Sequence, residues 1–582
     1  MCGIAGLIAP NGCRPDTLVL DRLADALGHR GPDGRGRYVK DNVGLVQNRL
    51  AIIDLEGGRQ PIVDGDNRAI IANGEIYNYI ELKAALPEVR FATGSDCEPP
   101  LHLYAREGLG FTKRLRGMYA LAIHDPAKAH VVLARDPFGI KPLYVAQGPW
   151  GLAFASEAQA LIATGLVAPR VRAQALHELL QLQFTCGTGT IFEGIHRVAP
   201  GETLVVADGK IVERRQRPAL PDGAEHGDSN YLLSRLDQVL MDCVDVHQRA
   251  DVPYGMFLSG GIDSSALLAM MARLNPRPVL AYTAGFPGTG VHDERDHARA
   301  LAKEVGAEHV EVEFTEADFW RLLPKVAAAM DDPAADYAAL PTFKLAERAR
   351  QDVKVILAGE GGDELFGGYG RYRGAMRPWP LTKAMRRTGT FDGLDVLRAA
   401  PTGWRDGMVV AERGARLAGR SRLQTAQAVD CTDWLPNDLL IKADRCLMMN
   451  GIEGRVPFLD PEMAAFAFNL PDKWKVHKTS GKWLLRLWLD KALPAARPFD
   501  KKRGFTVPVA EWIAGRPELG ALVAAQPCIE AIAKPEAVRR LFAHCDKKTG
   551  FACWTLLFYA LWHRRHLDGK APEGDVFECL SA

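Results

Sequence analysis

The stretch Gln216–Asn230, QRPALPDGAEHGDSN, most limits how this chain folds. It is polar, crowded with Pro, Gly and Asp, and shows no apolar periodicity, so it reads as a linker or surface loop. It divides 582 residues into parts expected as domains at 2–215 and 230–582, since one core serves ~100–200 residues. The two parts are patterned differently. Before the break come short strand-like runs with tight turns, at Gly44–Asp54, Arg68–Ile76, Met118–Asp125, His130–Arg135 and Leu143–Ala146. Helical stretches at Thr17–Leu27 and Tyr79–Leu86 lie among them. Strands and helices mix without alternating, which predicts an α+β domain. After the break the chain alternates. Strands are expected at Val252–Leu258, Val279–Gly285, His309–Phe314 and Val353–Ala358. Helices are expected at Ser265–Leu274, Glu294–Val305, Ala317–Met330 and Leu340–Arg350. This is the pattern of a parallel α/β sheet, whose ligands bind off the carboxyl ends of the strands. From about Tyr372 onward the chain reads as a mostly helical extension that covers the site.

At the amino terminus, Met1-Cys2-Gly3 allows methionine removal, which leaves Cys2 first. The free α-amino group then has a pKa near ~8 and lies beside the thiol, so one residue supplies both nucleophile and base. Attack on a carbonyl also needs oxyanion donors. Asn73-Gly74 offers a side-chain amide and a close-approaching backbone N–H. An amino-acid substrate needs a cation for its carboxylate and an anion for its ammonium, and Arg49 and Asp96 are the candidates. Taken singly, these residues read more simply as an incidental cysteine, a hairpin turn, a surface ion pair and a helix cap. Together, the segments MCGIAG, HRGPDG, RLAIID, NGEIYN, GSDCE, RDPFGIKPLY and FASEAQAL resemble the glutaminase domain of class II glutamine amidotransferases. The resemblance implies the αββα sandwich of N-terminal-nucleophile hydrolases, with Cys2 as nucleophile and Asn73 and Gly74 as the oxyanion hole. It also implies a glutamine pocket lined by Arg49, Leu50, Ala51, Ile52, Ile53, Glu75 and Asp96.

In the second part, Ser259-Gly260-Gly261-Ile262-Asp263-Ser264-Ser265 follows a strand and opens a helix. Glycines let backbone N–H groups wrap an anion, and the helix start adds positive potential. Asp263 beside phosphates calls for a divalent cation between them. The loop lacks the lysine of a Walker A site. A second glycine-rich segment, Ala358-Gly359-Glu360-Gly361-Gly362-Asp363-Glu364, ends another expected strand, and Asp363 is placed to share the metal with Asp263. The SGGxDS form resembles the pyrophosphate-binding loop of enzymes that split ATP into AMP and pyrophosphate. The order glutaminase, SGGIDSS, GEGGDELFGGY, ADRCLMMNGIEGRVPFLD and KTSGKWLLR is similar to that of glutamine-hydrolysing asparagine synthetases, across nearly the whole chain. That resemblance implies an ATP site of Leu258, Ser259, Gly260, Gly261, Asp263, Ser264, Ala284, Ala358, Gly359 and Lys482, with Mg2+ at Asp263 and Asp363. It implies that Glu360 helps deprotonate attacking ammonia and that Lys482 clamps phosphate. The sequence departs from the family at Ala358, where serine is common, and at Gly454, where a side chain is common. Both departures bear on which carboxylate is accepted.

The implied substrates are glutamine, aspartate and ATP, and the implied product is asparagine, formed through β-aspartyl-AMP. Rival readings are amidation of another carboxylate such as a peptide or sugar acid, an aminosugar-forming amidotransferase, and a catalytically dead interaction protein. SGGIDSS argues against the second rival, and the intact Cys2, Asn73, Asp263 and Asp363 argue against the third. Lys+Arg of 72 against Asp+Glu of 71 gives no electrostatic case for nucleic acid or an anionic membrane. No apolar run of ~20 residues predicts a membrane span. Eleven scattered cysteines, an odd number without a Cys-x-x-Cys pair, fit free thiols in the cytoplasm better than a disulfide frame. A homodimer is compatible with the sequence, which does not fix oligomeric state.

Overall fold

A computed structural model describes residues 2–291, 293–378, 380–500 and 506–581. The first part forms two six-stranded sheets from twelve strands: β1 (Gly3–Ile8), β2 (Gly34–Lys40), β3 (Val43–Arg49), β4 (Ile62–Val63), β5 (Ala69–Ile76), β6 (Gly117–Asp125), β7 (His130–Arg135), β8 (Tyr144–Gly148), β9 (Gly151–Ala155), β10 (Ile195–Arg197), β11 (Glu202–Ala207) and β12 (Lys210–Gln216). The sheet orders are β10-β8-β9-β1-β3-β2 and β12-β11-β7-β6-β5-β4. Every pairing between these strands is antiparallel.

Side-chain alternation explains why the sheets stack. In β1, Ile4 and Ile8 point into a core shared with Leu45, Ile71, Leu133 and Leu204 from both sheets. Ala5 and Leu7 point the other way, onto Leu20 and Leu23 of the helix Thr17–Ala26. The outer face of the second sheet packs Ile70 and Leu121 against Leu101 and Tyr104 of the helix Pro99–Glu107. With helices outside both sheets, this is the expected αββα sandwich.

The run expected as one strand over Gly44–Asp54 stops at Arg49. There the Arg49 guanidinium donates to the carbonyls of Ile53, Asp54 and Leu55, which curls the chain out of the sheet. Leu50, Ile52 and Ile53 then bury themselves against the second half of the chain. Residues 217–228 carry no regular element, and the next helix is Ser229–His247.

The second part is built on the all-parallel sheet β15-β14-β13-β16-β17. Its strands are β13 (Tyr254–Phe257), β14 (Leu280–Gly285), β15 (Glu308–Glu313), β16 (Val355–Leu357) and β17 (Glu453–Arg455). Within the mostly helical carboxyl-terminal extension, β17 is a short strand that the sequence reading did not place. GIEGRVPF returns to the sheet beside β16, because the Glu453 and Arg455 side chains find buried ionic partners there. The chain leaves β13 on one side to form β14 and β15, then crosses to the other side as β16. Strand order thus reverses between β13 and β16, where an open α/β sheet forms its ligand crevice. Among the described residues, no helix is long and apolar enough to cross a membrane.

Candidate active site

The first cluster gathers where β1 and β3 of one sheet face β5 of the other. Cys2 precedes β1 and is buried. Its backbone N–H donates to Asn73 Oδ1 at 3.1 Å. That bond fixes the orientation of the amide: Asn73 Nδ2, also buried, makes no hydrogen bond among the described residues and is left to donate to something else. Gly74 follows with φ of 151°, and a Cβ there would lie 2.0 Å from the Met118 carbonyl oxygen, so only glycine fits. Burial pushes the Cys2 thiol above its ordinary pKa, while the Leu50 N–H and the Arg49 guanidinium pull it back.

Arg49 is buried and meets no carboxylate among the described residues, so it is not the surface ion pair that a lone arginine suggests. Its bonds to the carbonyls of residues 53–55 hold the guanidinium against the Leu50–Ile53 segment. Asp96 is buried and accepts the Ile76 N–H at 2.8 Å. Burial pushes its pKa up, and that of Glu75 well up, the latter reinforced by Asp96 and Glu453. Arg455 Nη2 lies 3.4 Å from Glu75 Oε1 and offsets part of this. A substrate ammonium brought to Asp96 would find a buried carboxylate whose charge it stabilises.

The second cluster sits at the strand reversal. Leu258 and the SGG loop leave β13, Ala284 lies in β14, and Ala358 and Gly359 leave β16. Ser264 opens the helix Ile262–Leu274, accepts the Ser259 N–H and donates to the Gly261 carbonyl, which closes the loop into a cradle. Asp263 and Asp363 converge on Lys482, which hydrogen-bonds Asp263 Oδ2 and lies 2.8 Å from Asp363 Oδ1. Burial works against the Lys482 ammonium, but the two carboxylates outweigh it and raise its pKa. The glycines make this convergence possible. A Cβ on Gly362 would sit 2.5 Å from the Asp263 carboxylate, and one on Gly368 would sit 1.8 Å from Asp363 Oδ1.

Two carboxylate oxygens meeting at one point suit a hard divalent cation whose other ligands are phosphate and water. Among the described residues, no cluster of three or more His, Cys, Asp or Glu could hold a metal alone. The donor set therefore fits an ion delivered with a nucleotide.

Beside the second cluster lies a cavity of about 20 Å³, room for roughly one water-sized molecule. Ile140 and Lys141 of the first part line it together with Ala358, Glu360, Asp444 and Gly454 of the second. Glu360 Oε2 is buried and makes no hydrogen bond among the described residues. The two positions where the sequence departs from the family, Ala358 and Gly454, are thus neighbours on the wall of one cavity.

Sequence reasoning assigned no role to the ionic network behind Cys2. Arg30 bridges Glu157 and Asp444 in full burial, and Arg445 joins Asp444 to Asp331. The signal was present, since HRGPDG and ADRCLMMN both stand out, but their contact across 414 residues is invisible in one dimension.

Comparison with known proteins agrees with both halves. Residues 1–216 match the glutamine amidotransferase domain family and residues 235–564 match the asparagine synthase family. A putative asparagine synthetase [glutamine-hydrolyzing] of Mycobacterium tuberculosis is 34% identical, covering 97% of each chain. Asparagine synthetase [glutamine-hydrolyzing] 1 of Bacillus subtilis is 31% identical, covering 98% of each. Amidase chry2 of Gibberella zeae is 32% identical over 64% of this chain and 60% of its own.

Proposed function

This chain belongs to the family of glutamine-hydrolysing asparagine synthetases, and from that premise we propose that it makes asparagine from aspartate, glutamine and ATP. Glutamine enters the first cluster with its α-carboxylate at Arg49 and its ammonium at Asp96. Once Met1 is removed, the Cys2 thiolate attacks the side-chain amide, and Asn73 Nδ2 and the Gly74 N–H receive the oxyanion. The α-amino group of Cys2 takes the thiol proton and returns it to the departing ammonia. Water then clears the glutamyl thioester.

In the second cluster the SGG loop and the helix start hold the ATP phosphates, and Leu258, Ala284, Ala358 and Gly359 border the rest of the nucleotide. Asp263 and Asp363 would hold Mg2+, which when bound neutralises phosphate charge. Lys482 turns from the two carboxylates to the phosphates. The β-carboxylate of aspartate attacks the α-phosphorus, pyrophosphate leaves, and β-aspartyl-AMP forms. Ammonia then displaces AMP while Glu360 accepts a proton.

The observation that carries this reading is the shared cavity, in which residues of the glutaminase half and the unpartnered Glu360 carboxylate face the same space. A sheltered space of this kind would keep ammonia neutral, because bulk water at neutral pH would protonate it. The test is to supply glutamine, aspartate and ATP-Mg2+ and to follow products. Asparagine, glutamate, AMP and pyrophosphate should appear in equal amounts.

One observation favours a second reading. Ala358 and Gly454 leave the cavity wall beside Glu360 without the side chains common in the family, so contacts that would select one acceptor carboxylate are absent there. AMP release with a peptide or sugar acid, but not with aspartate, would establish that alternative.

A further inference from the structure

Within that reading, the buried ionic network gives one residue of the synthetase half a hold on the glutaminase nucleophile. Arg30 is fully buried and uses every edge of its guanidinium. Nε donates to the Cys2 carbonyl oxygen at 3.3 Å. Nη1 donates to Glu157 Oε1 and to Asp444 Oδ2, both at 2.7 Å, and Nη2 donates to Asp444 Oδ1 at 3.0 Å. The backbone of Cys2 is therefore pinned on two sides, by Asn73 through its N–H and by Arg30 through its carbonyl.

Asp444 sits on the helix Leu440–Met448. Its carboxylate also accepts from Arg445 Nη1 at 2.9 Å, and Arg445 Nε donates to Asp331 at 2.7 Å. The same helix supplies Leu440, Ala443, Asp444 and Leu447 to the wall of the cavity that Glu360 faces. Anything that shifts this helix at the cavity shifts Asp444. A bidentate carboxylate–guanidinium pair is rigid in direction as well as distance, so Arg30 must follow. With all these groups out of water, no solvent takes over a bond that lengthens.

We propose that Asp444 is a positioning residue for Cys2, acting through Arg30, so that occupancy of the synthetase site changes the geometry and reactivity of the thiol. The bond chain is continuous and short: cavity wall, Asp444, Arg30, Cys2 carbonyl. It differs from a merely cohesive interface contact in ending on the nucleophile's own backbone. The Lys354–Asp33 pair, at 2.9 Å, also joins the two halves but lies at the surface and does not touch Cys2.

The experiment compares the full-length wild type with Asp444→Asn, which keeps shape but loses the charge. The rate of iodoacetamide labelling at Cys2 is read by peptide mass, with and without ATP-Mg2+ and aspartate. Glutamine kcat and KM are measured in parallel. In the wild type the two ligands should change the labelling rate and the glutamine kcat by at least about threefold, with KM little affected. In Asp444→Asn that response should shrink below about 1.5-fold, and Asp444→Glu should restore part of it. A wild-type protein without a ligand response, or an Asp444→Asn variant that responds like wild type, overturns the proposal. If Asp444→Asn does not fold, Arg30→Lys decides the matter by the same readings, since it keeps the charge and loses the two-point grip. Failure of the wild type to hydrolyse glutamine would instead overturn the glutaminase reading, and the labelling response would still decide the role of Asp444.

Discussion

The glutamine site and the nucleotide site solve opposite problems. In the first, the key groups are held by backbone: Cys2 by its N–H and carbonyl, Asp96 by the Ile76 N–H, and Arg49 by three carbonyls. In the second, the key groups hold each other, with Lys482 drawn between two carboxylates across 219 residues of sequence. A site fixed by strands is preorganised before substrate arrives, and its parts fail one at a time. A site closed by an ion pair reorganises when phosphate and metal arrive, and its parts fail together.

The sharpest break in that comparison is Cys2→Ala. Glutamine-dependent synthesis should fall by ~10⁴-fold or more, the scale of losing a nucleophile, while synthesis from ammonium salt persists. Amino-acid analysis with either nitrogen source reads it, and retained glutamine use would remove Cys2 from the mechanism. Next in size, Lys482→Ala and Asp263→Asn should each lower AMP formation by ~10²–10³-fold with either nitrogen source. Glutamine hydrolysis should continue in both. Equal losses in the two variants would show that the cluster works as a unit, and a loss in only one would break the contrast drawn above.

Asn73→Ala removes one oxyanion donor and should cost glutamine hydrolysis about 10²-fold in kcat. Asn73→Asp keeps the acceptor for the Cys2 N–H but sets a negative charge where the oxyanion forms, so its loss should be at least as large as that of Asn73→Ala.

The smallest effect is on stability. Burial, helped by Asp363, pushes the Glu364 carboxyl up to about 7 while Tyr369 donates to it at 2.7 Å. A carboxyl raised on folding stabilises the fold below its unfolded pKa, and that contribution is lost as pH climbs through the folded value. Wild type should therefore lose stability between about pH 4.5 and 7, by at most ~3 kcal/mol. In urea titrations, Glu364→Gln should gain on wild type across that window, and a constant difference between the two would refute the assignment.

Much of this was legible in one dimension. The loops after β13 and β16 and the glycines around Asp363 come from local patterns, because turns and close approaches demand particular residue types at fixed offsets, whereas Cys2, Asn73 and Asp96 were joined as a candidate set only by the family resemblance. Strand ends were less legible. Gly44–Asp54 reads as one strand, but the bonds from the Arg49 guanidinium to the carbonyls of Ile53, Asp54 and Leu55 end it at Arg49. β17 was missed because three residues paired only to a parallel neighbour carry no periodicity of their own.

The sequence by itself determined the αββα and parallel-sheet classes and the family to which the chain belongs, since each follows from short-range pattern and motif order. Only the tertiary structure decided which end of the Asn73 amide is available and that Lys482 lies between Asp263 and Asp363. It alone decided that Ala358 and Gly454 share one cavity wall with Glu360, and that Arg30 is locked to Asp444. The physical reason is the same in each case: hydrogen bonds and ion pairs in a dry interior depend on distances of a few ångströms between residues hundreds of positions apart, and no local preference encodes those distances.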